Sequence, residues 1–334
     1  MVLTLVGLSR GIVEDGQQRA RGVGADIIIR PPNSSLFSFS GTFPAGILEY
    51  VRKEPGIAMA TGTFVYSTGG VDSITGIDLE SFNAMSGGFR YLQGKRFQQP
   101  DDILVDDYYA RANHLHAGDW HELIHRKWRL AGIVEPGKMS RMFMDLARLQ
   151  DLTANVGRLS CIYAKAADPA NANAIIASLK AHGMSQYQIY SLQDLLSQMT
   201  VTNVPMLQKF TVVIIGIGMF VGFLIVFLSM YTAVLERTRE IGILKALGAS
   251  PLFILNILLR ETVLLALSGS VLGIGMSYGS RWLIMTLEPT MMQAIVPDWW
   301  PIAMAISIGG ALGGALYPGF KAALQDVIDA LAYE

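Results

Sequence analysis

The sequence is short of charge and nearly empty of cysteine. Only 16% of its 334 residues are Asp, Glu, Lys or Arg, against roughly 25% in an average soluble domain. The single Cys161 excludes an intramolecular disulfide framework and any multi-thiolate metal site. It leaves the compartment open, because oxidising compartments also hold proteins without disulfides. A basic excess is absent too: 26 basic residues face 27 acidic ones, which removes the argument for a nucleic-acid binder. Also missing are a phosphate-cradling G-x-x-x-x-G-K-[ST] loop, a Gly-x-Ser-x-Gly elbow and a poised carboxylate pair. Neither a nucleotide site nor an enzymatic centre has support in this chain.

What is present is long apolar runs. Of the 53 charged residues, 14 lie after Lys209, leaving 39 in the first 209 residues. The 26 residues from Phe210 to Leu235 carry no formal charge, and roughly 20 suffice to cross a bilayer as a helix. Uncharged runs also extend from Thr262 to Ser280 and from Trp299 to Phe320. Three spanning helices are predicted, near 208–234, 254–285 and 299–319. The segment between the first two holds Arg237, Arg239 and Lys245, whereas the next holds only Glu288 and Asp298. Short basic loops stay cytoplasmic, so residues 236–252 and the tail from Lys321 are expected inside. Trp299 and Trp300 are then expected at the outer interface, and residues from about Asp26 to Leu207 outside.

Residues 1–24 fit neither a full span nor a signal peptide. Met1 to Ile12 is apolar but interrupted by Arg10, with no basic n-region or convincing cleavage site. They read as the outer end of a first transmembrane helix whose beginning is missing, followed by the start of a stalk. Residues 25–190 mix strand and helix signals. Strands are expected at 25–29, 57–66, 70–77, 120–125, 127–134 and 159–165. Helices are expected at 44–53 with Pro44 in the first turn, at 106–113 and 145–153, and at 169–182 behind the cap Asp168. The fold class is an α-helical transmembrane domain plus an α+β two-lobed extracytoplasmic domain, the lobes dividing near 80–140. A helical stalk over 191–207 leads into the spans of a permease-like region, 191–334.

Four histidines, His114, His116, His121 and His125, crowd into ANHLHAGDWHELIH. Metal binding is the sharp reading. His121 and His125 would share a strand face roughly 13 Å apart, too far for joint ligation, and the spacing fits no zinc motif. Ordinary surface or packing histidines are expected.

After the first span comes Glu236-Arg-Thr-Arg-Glu-Ile-Gly-Ile-Leu-Lys-Ala-Leu-Gly-Ala-Ser250. As a short helix it places Ile241, Leu244 and Leu247 on one stripe, with charges elsewhere around it. Gly248 suits a C-cap and Pro251 a new helix start. A partner-docking role and a basic interfacial turn both fit these residues. The segment resembles the hallmark of the permease subunits of the FtsX/MacB superfamily of ABC transporters. The tail from Tyr317 to Glu334 is similar to that family's C-terminal motif, departing from it at Val327 and Ala332. Leu92 to Phe97, Ala117 to Asp119 and Trp128 to Pro136 resemble weaker motifs of the MacB-type periplasmic domain.

That resemblance implies a bacterial inner-membrane protein with four transmembrane helices and a large periplasmic domain between the first two. It also implies a homo- or heterodimer of permeases, served by separate ATPase subunits that bind the ATP, with no cofactor held by the permease itself. An adaptor and an outer-membrane channel are further partners it suggests. Glu236, Arg237, Arg239, Glu240 and Lys245 match its ATPase-coupling region. Export or extraction of a peptide, drug, lipid or lipoprotein is the implied function, with FtsX-like activation of a cell-wall hydrolase as the alternative. No span carries a mid-helix charge, and Arg260-Glu261 are expected to pair or snorkel at the inner end. Glycines four apart, among them Gly269/Gly273, Gly275/Gly279 and Gly310/Gly314, permit close helix packing.

Overall fold

The computed structural model describes residues 2–32, 34, 41–69, 72–203 and 205–324. The family-like tail beyond Leu324, including Val327 and Ala332, lies outside them, as do positions 70 and 71 of one expected strand. Contacts divide the chain into two compact units. One comprises Gly11–Val204 with Met285–Met292; the other comprises Met1–Arg10, Pro205–Ile284 and Gln293–Glu334.

The first unit is built on strands β1 (Ile27–Arg30), β2 (Phe43–Pro44), β3 (Ile57–Gly69), β4 (Asp72–Ile77), β5 (Tyr91–Gly94), β6 (Asp102–Asp106), β7 (Trp120–Leu123), β8 (Arg126–Val134), β9 (Met142–Asp145), β10 (Arg158–Leu159), β11 (Cys161–Ala166) and β12 (Gln188–Ser191). Its helices are the later part of α1 (Val2–Gly22), then α2 (Gly46–Arg52), α3 (Leu79–Ser86), α4 (Asp107–Ala112), α5 (Leu146–Leu152), α6 (Ala172–Leu179) and α7 (Leu192–Gln198). Four strands run straight into a helix through a capping side chain. Asp78, Asp106, Asp145 and Ser191 accept from the backbone N–H of Ser81, Tyr109, Arg148 and Asp194, satisfying donors that a helix start leaves orphaned.

The expected two lobes share one sheet. Its ten strands run β12-β1-β11-β3-β4-β9-β6-β8-β5, with β7 added on β8. Residues 91–145 supply one half and the flanking sequence the other. They join at the parallel β4–β9 pair, where Ile74 faces Met142 and Thr75 faces Phe143. One apolar cluster, including Ile28, Ile77, Phe82, Leu104 and Phe143, draws on both halves. Trp128 and Leu130 pack in a second, under α4 and α5.

Several local expectations change. Pro44 sits in β2, and α2 starts at Gly46. The helix expected over 169–182 is a 3-10 turn (Pro169–Asn171) followed by α6, and Gly183 at φ +95° ends it. The stalk is not one helix: α7 stops at Gln198 and a 3-10 turn occupies Val201–Asn203.

In the second unit the principal elements are α8 (Pro205–Glu236), α9 (Thr238–Ala246), α10 (Pro251–Leu287) and α11 (Trp300–Leu324). Among the described residues, three helical stretches, Gln208–Glu236, Pro251–Leu287 and Pro297–Leu324, are long and apolar enough to cross a membrane. Large apolar side chains such as Phe220, Leu228, Leu264, Leu272 and Trp282 stand exposed on them, which water would penalise and lipid would not. α8 and α11 approach closely at Gly314, and Phe227 stacks between Phe223 and Tyr231 beside Tyr317. Leu3 and Val6, from the start of α1, bury against Val296, with Ile215, Ile274, Trp299 and Trp300 around them.

Candidate functional site

The charged segment after the first span forms a compact element between two long helices. Glu236 is the last residue of α8, Arg237 is the N-cap of α9, and Arg239, Glu240 and Lys245 lie along α9. Leu247 is the C-cap, Gly248 adopts φ +95°, and Pro251 opens α10. Gly248 N–H donates to the Lys245 carbonyl and Ala249 N–H to that of Leu244, so the turn satisfies carbonyls that the helix end would leave open.

The buried face of α9 is not the expected stripe. Ile241 is buried together with Thr238 and Gly242, at the i, i+3, i+4 spacing of one helix face. Ile241 enters an apolar cluster with Met230 and Val234 of α8, Ile254 and Leu258 of α10, and Ala315 and Ala322 of α11. Leu244 and Leu247 stay outside, Leu247 at 80% exposure. On the buried side, Thr238 Oγ1 donates to the Val234 and Leu235 carbonyls at 3.0 and 2.9 Å, linking the first turn of α9 to the end of α8.

The five charged residues share their surface with apolar side chains. Glu236, Arg237, Arg239 and Glu240 are exposed, and Lys245 is half-buried. Beside them Ile243, Leu244, Leu247, Leu252 and Phe253 expose apolar surface. Arg237 pairs with Glu261 of α10 at 3.1 Å. Of the two alternatives for Arg260 and Glu261, pairing or snorkelling, Glu261 pairs with Arg237 instead of Arg260: neighbours one apart on a helix do not face each other, whereas Arg237 on the adjoining element faces Glu261. Lys321 of α11 lies over the Tyr231 ring, 5.2 Å from its centre. A surface on which charged and exposed apolar side chains lie side by side can dock a protein partner.

The histidines come to rest elsewhere. His121 accepts or donates at 3.0 Å to the Tyr109 hydroxyl, and burial lowers its pKa. His116 lies 3.7 Å from Asp119. His114 and His116 line a groove of about 210 Å³ with Arg111, Leu115 and Ile133. His125 lies in the β7–β8 turn. Among the described residues no group of three or more His, Cys, Asp or Glu side chains could hold a metal ion.

Residues 212–325, which contain the whole charged segment, match the family model described as FtsX-like permease C-terminal. The Escherichia coli protein named macrolide export ATP-binding/permease protein MacB is 24% identical over 370 residues, covering 100% of this chain and 56% of its own length. Its C-terminal region is thus similar to FtsX-like permeases, and the chain as a whole to MacB-type permease proteins. A Bacillus subtilis (strain 168) protein named uncharacterized ABC transporter permease YknZ is 38% identical over 126 residues, covering 36% of this chain and 30% of its own length. The chain spans about half the length of the MacB relative and less of the YknZ one. The crystal structure of the periplasmic region of MacB from Actinobacillus actinomycetemcomitans aligns with 54% of this chain and 94% of that one, at 16% identity and a TM-score of 0.42.

Some residues that hold the sheet unit together escaped the sequence reading. Asp15, Asp106 and Arg141 sit far apart in the chain, and no motif links them. Only the sheet register brings Arg141, just before β9, beside the end of β6, where Asp106 N–H donates to the Arg141 carbonyl at 2.8 Å.

Proposed function

We propose that the protein is the permease subunit of an ABC transporter, embedded in the bacterial inner membrane with its sheet unit in the periplasm. It couples ATP hydrolysis by a separate ATPase subunit to motion of that unit, and so drives export or extraction of an extracytoplasmic substrate. The observation that carries the reading is the surface of α9, where Arg239 and Glu240 stand exposed beside Leu244 and Leu247. Burying Ile241 fixes α9 to three long apolar helices, so a push on its exposed face is delivered to all of them. The placement of Arg237, Arg239 and Lys245 between the first two candidate spans favours a cytoplasmic location for this face.

The partners in this reading are an ATPase chain, a second permease, and an adaptor with an outer-membrane channel. The test is affinity purification of the full-length protein, read for a co-purifying ABC ATPase, for the wild type and for Glu240→Lys. The variant is expected to insert into the membrane normally and to lose ATPase association and coupling, because it reverses charge at the docking face without touching an apolar helix. Unchanged association and transport would contradict the assignment. An adaptor in the purified complex supports export, whereas a cell-wall hydrolase in its place redirects the reading to signalling.

A further inference from the structure

The sheet unit contains one buried ionic cluster drawn from four separate parts of the chain. Asp15 of α1 pairs with Arg19 one turn later. The Arg141 guanidinium reaches Asp15 at 3.3 Å and Asp106 at 3.8 Å, and donates to the Thr290 carbonyl at 2.7 Å. It also lies over the Tyr108 ring, 5.7 Å from its centre. The side chains of Asp15, Asp106 and Arg141 are nearly buried. Two carboxylates against two guanidinium groups leave the cluster neutral, which is what burial demands of charges.

The chain connections give the cluster its interest. α1 and the 285–292 segment both continue along the chain into the apolar unit, the latter through α10. Asp106 terminates a central strand and caps α4, accepting from Tyr109 N–H at 2.8 Å. Arg141 immediately precedes β9, the strand at the parallel junction of the two sheet halves. A planar fork with several donors can hold two carboxylates and a carbonyl at once, which a lysine ammonium holds less rigidly.

We propose that Arg141 is the positioning residue that ties α1 and the 285–292 segment to the sheet, so that a shift of either reaches β6, α4 and β9 through its guanidinium. The proposal rests on the transmission reading given above, and it names the point at which motion enters the sheet. Arg141 touches no substrate; it acts by holding Asp15, Thr290 and Asp106 in one frame.

Asp106 supplies a probe of that linkage. Burial raises its pKa to about 6, partly opposed by the Tyr109 N–H, Arg141 and Arg19 and reinforced by Asp15. The charged or titratable groups around it are Arg141 before β9, Asp15 and Arg19 on α1, and Tyr108, Asp107 and Arg111 on α4. Titrating Asp106 therefore perturbs one corner of the frame while the others are read.

The experiment is hydrogen exchange on the full-length protein in lipid nanodiscs between pH 5 and 7.5, corrected for the intrinsic rate. In the wild type, protection of α4, of residues 11–22 and of residues 285–292 is expected to change together, with a midpoint near pH 6. Asp106→Asn is expected to abolish all three changes. Arg141→Met is expected to keep the α4 response and lose the other two, and Arg141→Lys to restore them in part. A wild type whose residues 11–22 and 285–292 ignore pH overturns the proposal, and so does an Arg141→Met protein in which they still respond. If Arg141→Met unfolds the unit, the wild-type and Arg141→Lys arms decide alone. A parallel arm adds the ATPase and ATP at constant pH. No nucleotide-dependent change in the wild-type sheet counts against the transmission reading, while the pH arms judge the linkage separately.

Discussion

Gly314 of α11 stands so close to Phe223 of α8 that a Cβ on the glycine would lie 2.9 Å from the Phe223 carbonyl oxygen and 3.1 Å from the Phe227 nitrogen. Those are backbone atoms, which cannot swing aside as a side chain can. The helix pair therefore depends on the absence of one methyl group. Gly314→Ala is expected to separate α8 from α11 at a cost of about 1–3 kcal/mol, the usual penalty of overpacking. Gly273→Ala is the control, because a Cβ there meets nothing within 4 Å. Thermal unfolding in detergent checks both, and equal melting temperatures for the two variants would contradict the packing described here.

The acid–base behaviour of the sheet unit turns on Asp106. Its carboxyl binds a proton more tightly in the folded state, at about 6, than in the unfolded chain, at about 4. Stability from this group therefore falls as pH rises between those values and stays reduced above them. Asp106→Asn cannot ionise and remains a competent N-cap. Relative to the wild type it is expected to gain up to about 2 kcal/mol on going from pH 4.5 to pH 7.5. Melting temperatures of both proteins at the two pH values give the comparison; a gain at the acidic end would reverse the sign and refute the argument.

The β7–β8 hairpin turns on Ile124 and His125, at φ +51° and +57°, between the paired residues Leu123 and Arg126. Two-residue hairpin loops favour positive φ, normally from Asn-Gly or Asp-Gly, and a β-branched residue there is strained. Replacing Ile124 by Asn and His125 by Gly together is expected to stabilise the unit by about 1–2 kcal/mol. Circular dichroism melting measures it, and a lower melting temperature would show that Ile124 or His125 contributes more by contact than it costs in strain.

The same hairpin shows where the sequence stops being informative. Strands around 120–134 were legible from their alternation, but a turn made of Ile and His carries no turn chemistry, and its boundaries come out differently in the structure. The three apolar helices were legible because a charge-free run longer than a bilayer has few other uses. The order of the ten strands was not, since β4 meets β9 across some seventy intervening residues and pairing at that distance leaves no local pattern. In the charged segment after the first span, the motif located the element, Gly248 and Pro251 marked its end, and the charges marked its exposed side. Helical periodicity alone put Leu244 and Leu247 with Ile241. It could not show that Thr238 bonds back to α8 and that Thr238, Ile241 and Gly242 face inward, leaving the two leucines exposed. That arrangement leaves α9 with exposed apolar surface beside its charges.

The central claim is that the exposed face of α9 meets an ATPase, and site-specific photocrosslinking at Leu247 tests it most directly. A photoreactive side chain at Leu247, with another at exposed Trp120 of the sheet unit as the control, is introduced into the full-length protein co-expressed with the ATPase that co-purifies with it. The account predicts an adduct with the ATPase from Leu247 that disappears in the Glu240→Lys background, and none from Trp120. An assembled complex that gives no ATPase adduct at Leu247, or gives it at Trp120 instead, would contradict the account.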